Sequence, residues 1–495
     1  MRPRTVLSLA IAIGALAIPA SAHALTVSSF SAQPTNPQAG ANSDFTISVT
    51  FGEAGDQVQD LRIGLPPGMV ANPTGPPQCT VAQLNANACP AASDVGDLTT
   101  ELTVLGIVPQ TVTGNLYNLV PRPGEPARFG IVLVPPLGGV LLENIIIQSG
   151  AELRPDFGLD SVINDTPNTA NTTLGVGAPI QITGMTVALE GSVGGQPFAR
   201  NPTSCAVATT TITANSYASP GSVAGGGDTF TPTNCGALPF SPSFSAKVTV
   251  PGAFAKGQKP TLSTAIAQDN GEAGLRNAVV LVPGDFGADL GQIVPGEVCP
   301  IPNFQAGSCP ASSVVGTATA TSPLLSQALS GPVLLVDNPG ALAKIGLDLS
   351  GPLRLLLTGA LGFDNSTTFA GLPDIPISNF ELRFSGGAGG LLIANRDVCL
   401  PPSATFYTGF ISHSGASSSG TTPAAVEGCV PARKCKVTKG KKKGKKKGKK
   451  RGRRGTKKAA AAKKKKKKTK KKKGCAKRKK GKKKGKGKRK GKKRR

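Results

Sequence analysis

The sequence predicts an all-β protein: tandem β-sandwich units, immunoglobulin-like or larger, followed by a disordered polybasic tail. Three observations carry that expectation. Apolar and polar residues alternate with period two in many short runs, the cysteine spacing occurs twice along the chain, and the charge is strongly segregated. Of 57 Lys and Arg residues, 42 lie between Arg433 and Arg495, where there is no acidic residue. That leaves 15 basic against 27 acidic residues in 1–432, a net charge of −12, so the formal +30 does not describe a basic fold.

The strand reading rests on particular runs. Phe45, Ile47, Val49 and Phe51 alternate with Thr46, Ser48 and Thr50, which places one apolar and one polar face on a pleated strand. Met185, Val187 and Leu189 repeat the pattern, as do Phe380, Leu382 and Phe384 around Glu381 and Arg383. Pro and Gly punctuate the runs. The only helical signal is short, near Cys79–Asn87. Gly and Pro together make up 104 of 495 residues. That share lies below the roughly 25–30% of unstructured low-complexity chains.

At the N-terminus Arg2 and Arg4 precede an apolar run from Val6 to Ile18, then Pro19 and small residues. This pattern predicts a secretory signal peptide over 1–24, cleaved after Ala22-His23-Ala24, with Ala20-Ser21-Ala22 as the alternative site. The run is too short for a membrane anchor, which needs about 20 apolar residues. No later span is expected, because Pro135, Pro136 and Glu143 interrupt the stretch from Phe129 to Ile147. Removal of the leader would take the body to −14.

Cysteine spacing defines the units. Cys79 and Cys89 are ten apart, as are Cys299 and Cys309; Cys205 and Cys235 are thirty apart, as are Cys399 and Cys429. The surrounding text agrees: CPAASDVG answers CPASSVVG, GEAG occurs at Gly52 and at Gly271, and Asn201 and Asn395 each stand four before a cysteine. Repeats near 200 residues mean a tandem of large units, 25–245 and 246–432, rather than a solenoid. The equal spacing favours four local disulfides, Cys79–Cys89, Cys205–Cys235, Cys299–Cys309 and Cys399–Cys429, as expected outside the reducing cytosol. Zinc would call for closely paired Cys-x2-Cys ligands, and a catalytic thiol needs no duplication.

Several phrases carry a resemblance. AGANSDFTISVTF, DLRIGLPPGMVANP, the two Cys-x9-Cys-Pro elements, GNLYNLVPRPGEPARFGI, FARNPTSC and the Lys-rich terminus are similar to a family of exported actinobacterial proteins. The resemblance implies a signal peptide, tandem β-rich units and a polylysine tail, and it transfers no active site. The second copy departs from it, lacking the YNLVPRPGEP and NPTSC wording.

The tail, 433–495, has no core-forming residues and cannot offset its ordering entropy, so disorder is expected. Fully extended it would reach about 210 Å. Its polyanion-binding candidates are Lys441, Lys442, Lys443, Lys445, Lys446, Lys447, Arg451, Arg453, Arg454, Lys463, Lys464, Lys465, Lys466, Lys467 and Lys468. Three partners fit this chemistry. Anionic cell-wall polymers come first, then an anionic membrane surface, and then nucleic acid bound without sequence preference. Without aromatic residues the tail cannot stack on bases. Cys435 and Cys475 fall outside the repeat and either pair with each other or join two chains.

Catalysis is not expected, and neither is a cofactor. His413, the one His outside the leader, lies in the Ser/Gly-rich stretch GFISHSGASSSG and reads as a solvated residue of a mobile loop. Asp94, Asp97 and Glu101 form the densest acidic group, but the second copy has Val314, Thr317 and Thr321 there. Neither that group nor Asp285–Asp289 carries the D-x-D-x-D-G phrase of a calcium loop. The expected role is that of an exported, non-enzymatic surface or wall protein. A general polyanion binder is the first alternative, and a glycan-binding or glycan-cleaving sandwich is the second.

Overall fold

A computed structural model describes residues 25–52, 56–135, 142–172, 175–252, 254–289 and 298–430. The leader, the polybasic tail with its candidate lysines and arginines, Cys435 and Cys475 all lie outside the described residues.

The chain is nearly all β, arranged as two large curled sheets. In the first, the neighbours run Val27–Pro34, Phe45–Phe51, Gly177–Leu189, Asp94–Val104, Val108–Leu119, Arg128–Val134, Ile145–Leu153, Leu159–Ile163, Val58–Gly64, Ala208–Ser216 and Ala224–Phe230. In the second they run Ser417–Pro423, Thr405–Ser412, Leu275–Leu281, Ser366–Ala370, Arg354–Leu361, Lys344–Ser350, Leu329–Val336, Val314–Thr321, Asn379–Phe384, Thr261–Ala267, Ser243–Gly252 and Ala425–Cys429. Read from its other end, the second list repeats the first strand for strand, with Ala425–Cys429 added at the edge. Strand alternation explains how each sheet encloses a core. Phe45, Ile47, Val49 and Phe51 are all buried on one face, and the inward residues of the other strands meet them.

Each sheet curls until its edges meet, which removes the exposed edges that invite aggregation. In the first, the Asp228 carboxylate accepts hydrogen bonds from the Ala32 amide (2.8 Å) and Gln33 Nε2 (2.7 Å), and Gln38 pairs in parallel with Thr233. In the second, Ala425–Cys429 continues directly from Ser417–Pro423 and pairs in parallel with Ser243–Gly252. The Lys247–Glu427 ion pair, 2.8 Å, joins the same two strands diagonally.

Both halves carry the same small accessory core. Val81–Asn85 is a single helical turn capped by Thr80, whose side chain and that of Gln83 satisfy each other's backbone amides. Leu84 from this turn is fully buried with Cys79, Leu119 and Val132. In the second half Ile301–Ala306 buries Phe304 against Cys299, Leu334 and Val336. A glycine receives the plug each time: a Cβ at Gly130 would stand 2.5 Å from Leu84 Cδ2, and one at Gly346 2.9 Å from a Phe304 ring carbon.

Candidate functional site

The eight repeat cysteines form four disulfides: Cys79–Cys89, Cys205–Cys235, Cys299–Cys309 and Cys399–Cys429. The two short loops pin the helical plugs. The two longer ones close the open ends of the hairpins Ala208–Ser216/Ala224–Phe230 and Thr405–Ser412/Ser417–Pro423. Four bridges in one body suit an oxidising compartment outside the cytosol. In the chain-entropy account the ten-residue and thirty-residue loops contribute about 3 and about 4 kcal/mol each.

Between the two sheets lies a polar seam that the sequence does not disclose. The buried Asp374 carboxylate accepts from the Thr203 amide (2.7 Å) and from the Thr203 hydroxyl, and that hydroxyl accepts from the Gly274 amide at 3.0 Å. Gly68 and Gly274 leave room for the carboxylate; a Cβ on either would stand 2.6 or 2.2 Å from its oxygens. Arg200 donates to the carbonyl of Glu272 (2.9 Å). Burial pushes its guanidinium pKa down, opposed by the charge of Asp374. Glu272 in turn accepts from the Ser241 amide (3.0 Å).

This seam explains two of the phrases singled out in the sequence. In NPTSC, Asn201 donates to the carbonyls of Asn36 (2.7 Å) and Gln38 (2.9 Å), and Thr203 grips Asp374. In the second GEAG, Glu272 and Gly274 supply the other side. His413 also belongs here, and the expectation of a solvated, mobile residue is corrected. It is half-buried in a tight turn, donates from Nε2 to the carbonyl of Leu372 (2.8 Å), and its amide donates to Gly274. Leu153, at the end of its strand in the first sheet, and Phe157, in the turn that follows, pack on the second core, so apolar burial supports the same junction.

The acidic candidates lie elsewhere. Asp97 and Glu101 are exposed on the outer face of Asp94–Val104, while Asp94 is half-buried at a bulge and accepts from Asn115 Nδ2 (2.6 Å). The structure adds Glu190, which the sequence reading missed because it is distant in the chain. Burial, then the charges of Asp94, Asp97 and Asp44, push its carboxyl above the usual range. Asp94 is raised too, mainly by burial. Asp285 and Asp289 do not converge as a calcium loop; they form ion pairs with Arg396 and Lys259 respectively.

No family model matches the chain, and no curated protein matches it significantly. Among solved structures, a Corynebacterium diphtheriae protein provisionally described as membrane anchored is 10% identical, with 81% of this chain and 95% of that chain covered and a TM-score of 0.17. A type II cohesin dyad from the adaptor ScaA scaffoldin of Acetivibrio cellulolyticus is 8% identical, covering 80% and 96% at a TM-score of 0.14. Similarity at this level is too distant to transfer a site.

Proposed function

We propose that the chain is an exported, non-enzymatic surface protein in which a rigid, disulfide-stapled body is held to anionic wall polymers by its polycationic C-terminus. One observation carries the reading: 42 positive charges without a negative one follow directly on a body of net charge −12. Such segregation exceeds what solubility requires, and a chain of this composition binds polyanions by releasing their counterions. The leader would deliver the protein to the compartment where disulfides persist and wall polymers are the abundant polyanions.

The test compares the exported chain with one lacking 433–495 for retention on purified cell walls and on DNA across a salt series. The full chain should be retained on walls at low salt and leave stepwise as salt rises; the truncated chain should wash off at once. Equal wall retention of the two would remove the mechanism. Tighter, salt-resistant retention on DNA would move the ligand to nucleic acid.

A further inference from the structure

The core of the second barrel is interrupted by apolar spaces that lead to its mouth. Two apolar spaces of about 70 and 50 Å³ lie inside it and a third of about 400 Å³ opens at its mouth, and they share walls in sequence along the strands. On Asn379–Phe384, Phe380 faces the first and second spaces, Leu382 the second, and Phe384 the second and third. On and just beyond Leu275–Leu281 the same succession runs through Ala278, Val280 and Val282. From Leu275 to Val282 is seven residues, or roughly 23 Å at about 3.3 Å per residue. Phe380, Val280 and Val282 are only partly buried although they point inward, as expected beside a space.

Strand register shows what has changed beside the middle space, which Thr264 and Leu382 line. In the first barrel Ile47 pairs with Val187, which pairs with Leu98. The matching row of the second barrel is Thr264, Leu382 and Ala318. Two large side chains have become small ones, and one valine has become leucine. Thr264 returns its hydroxyl to the carbonyl of Leu382 at 3.4 Å, so its polar atom does not claim a partner in the space. No charged side chain lines any of the three spaces. The widest opens beside Phe363, which is 92% exposed at the tip of a turn. Apolar spaces that share walls in this way suit an apolar guest better than water. One leaflet of a bilayer core, about 15 Å, gives the reach of an ordinary acyl chain, and the row of spaces exceeds it.

We propose that the second barrel binds one unbranched aliphatic chain, which enters past Phe363 and lies along the strands through the waist at Thr264. The test uses the full exported chain and radiolabelled hexadecanol, a neutral probe that the polycation cannot attract. Saturable binding of one molecule per chain, unchanged by added salt, is expected. Thr264→Ile, which restores the residue type of the first barrel, should close the waist and weaken binding at least tenfold while circular dichroism stays that of the parent. Phe363→Ser, at a site too exposed to affect folding, should weaken it about threefold. Displacement of the label by monopalmitoylglycerol would identify a lipid's chain as a guest; failure to displace it would confine the guest to free long-chain compounds. Absence of saturable binding overturns the proposal. So does parental affinity in a folded Thr264→Ile, or, should that variant not fold, parental affinity in Phe363→Ser.

Discussion

In the first barrel a row of Ile47, Val187 and Leu98 crosses three adjacent strands; in the second the row reads Thr264, Leu382 and Ala318, and an apolar space adjoins Thr264 and Leu382. Strand order, plugs and disulfide loops are otherwise shared, while the closure differs: one parallel bridge, Gln38–Thr233, in the first and the added strand Ala425–Cys429 in the second. The backbone plan is thus set by features that recur: turn chemistry, glycines that admit a plug, and cysteine spacing. What each barrel can hold is set by a few inward side chains. A duplicated fold can keep its architecture under one set of residues while another set changes what the interior does.

The largest test of this symmetry removes matching bridges. Cys205→Ser with Cys235→Ser, and separately Cys399→Ser with Cys429→Ser, should each cost about 4 kcal/mol by denaturant titration, since the loops are equal. A clearly larger loss in the second would show that its bridge also holds the closing strand Ala425–Cys429 in place. Next, Leu98→Ala should cost about 3 kcal/mol, because Leu98 is fully buried in the first core and the change opens a cavity. Thr264→Ala should cost under about 1 kcal/mol, because a space already adjoins it. Equal costs would contradict the difference in packing.

Asp374→Ala should cost about 2–3 kcal/mol by stranding the buried amide and hydroxyl of Thr203. Calorimetry should then resolve two transitions where the parent shows one, if the seam couples the barrels. The smallest effect belongs to the closure of the first barrel. The Ala32 amide, then Gln33, hold the Asp228 carboxyl below its usual range. A carboxyl lowered in this way stabilises the folded state above its unfolded pKa, and the benefit fades as pH falls through the lowered value. Asp228→Asn should therefore cost about 1 kcal/mol or less at pH 7, and the gap to the parent should shrink below about pH 4.

The fold class was legible because period-two alternation is a local signal: Phe45–Phe51 and Asn379–Phe384 are strands with the expected faces. The short helix near Cys79 was legible as a short helical signal; its capping by Thr80 and Gln83 is seen only in the structure. The seam was not. Thr203 and Asp374 stand 171 residues apart, and nothing near either one announces the other. His413 misled for the opposite reason, since its Ser/Gly-rich surroundings are what a tight hairpin turn requires as well as a loose loop. The apolar space beside Thr264 and Leu382 was hidden because it depends on which residues share a row, and only the register shows that.

The crosslink at Cys429 has a mechanical consequence. Among the described residues it is the last bridged one, four before the basic run begins at Arg433, and it is tied back to Cys399 across a closed hairpin. Tension applied to the C-terminus would reach the body at a covalent junction and not at a strand that can unzip. A pull on that end would load sulfur and carbon before hydrogen bonds, and the hairpin could keep its shape under strain.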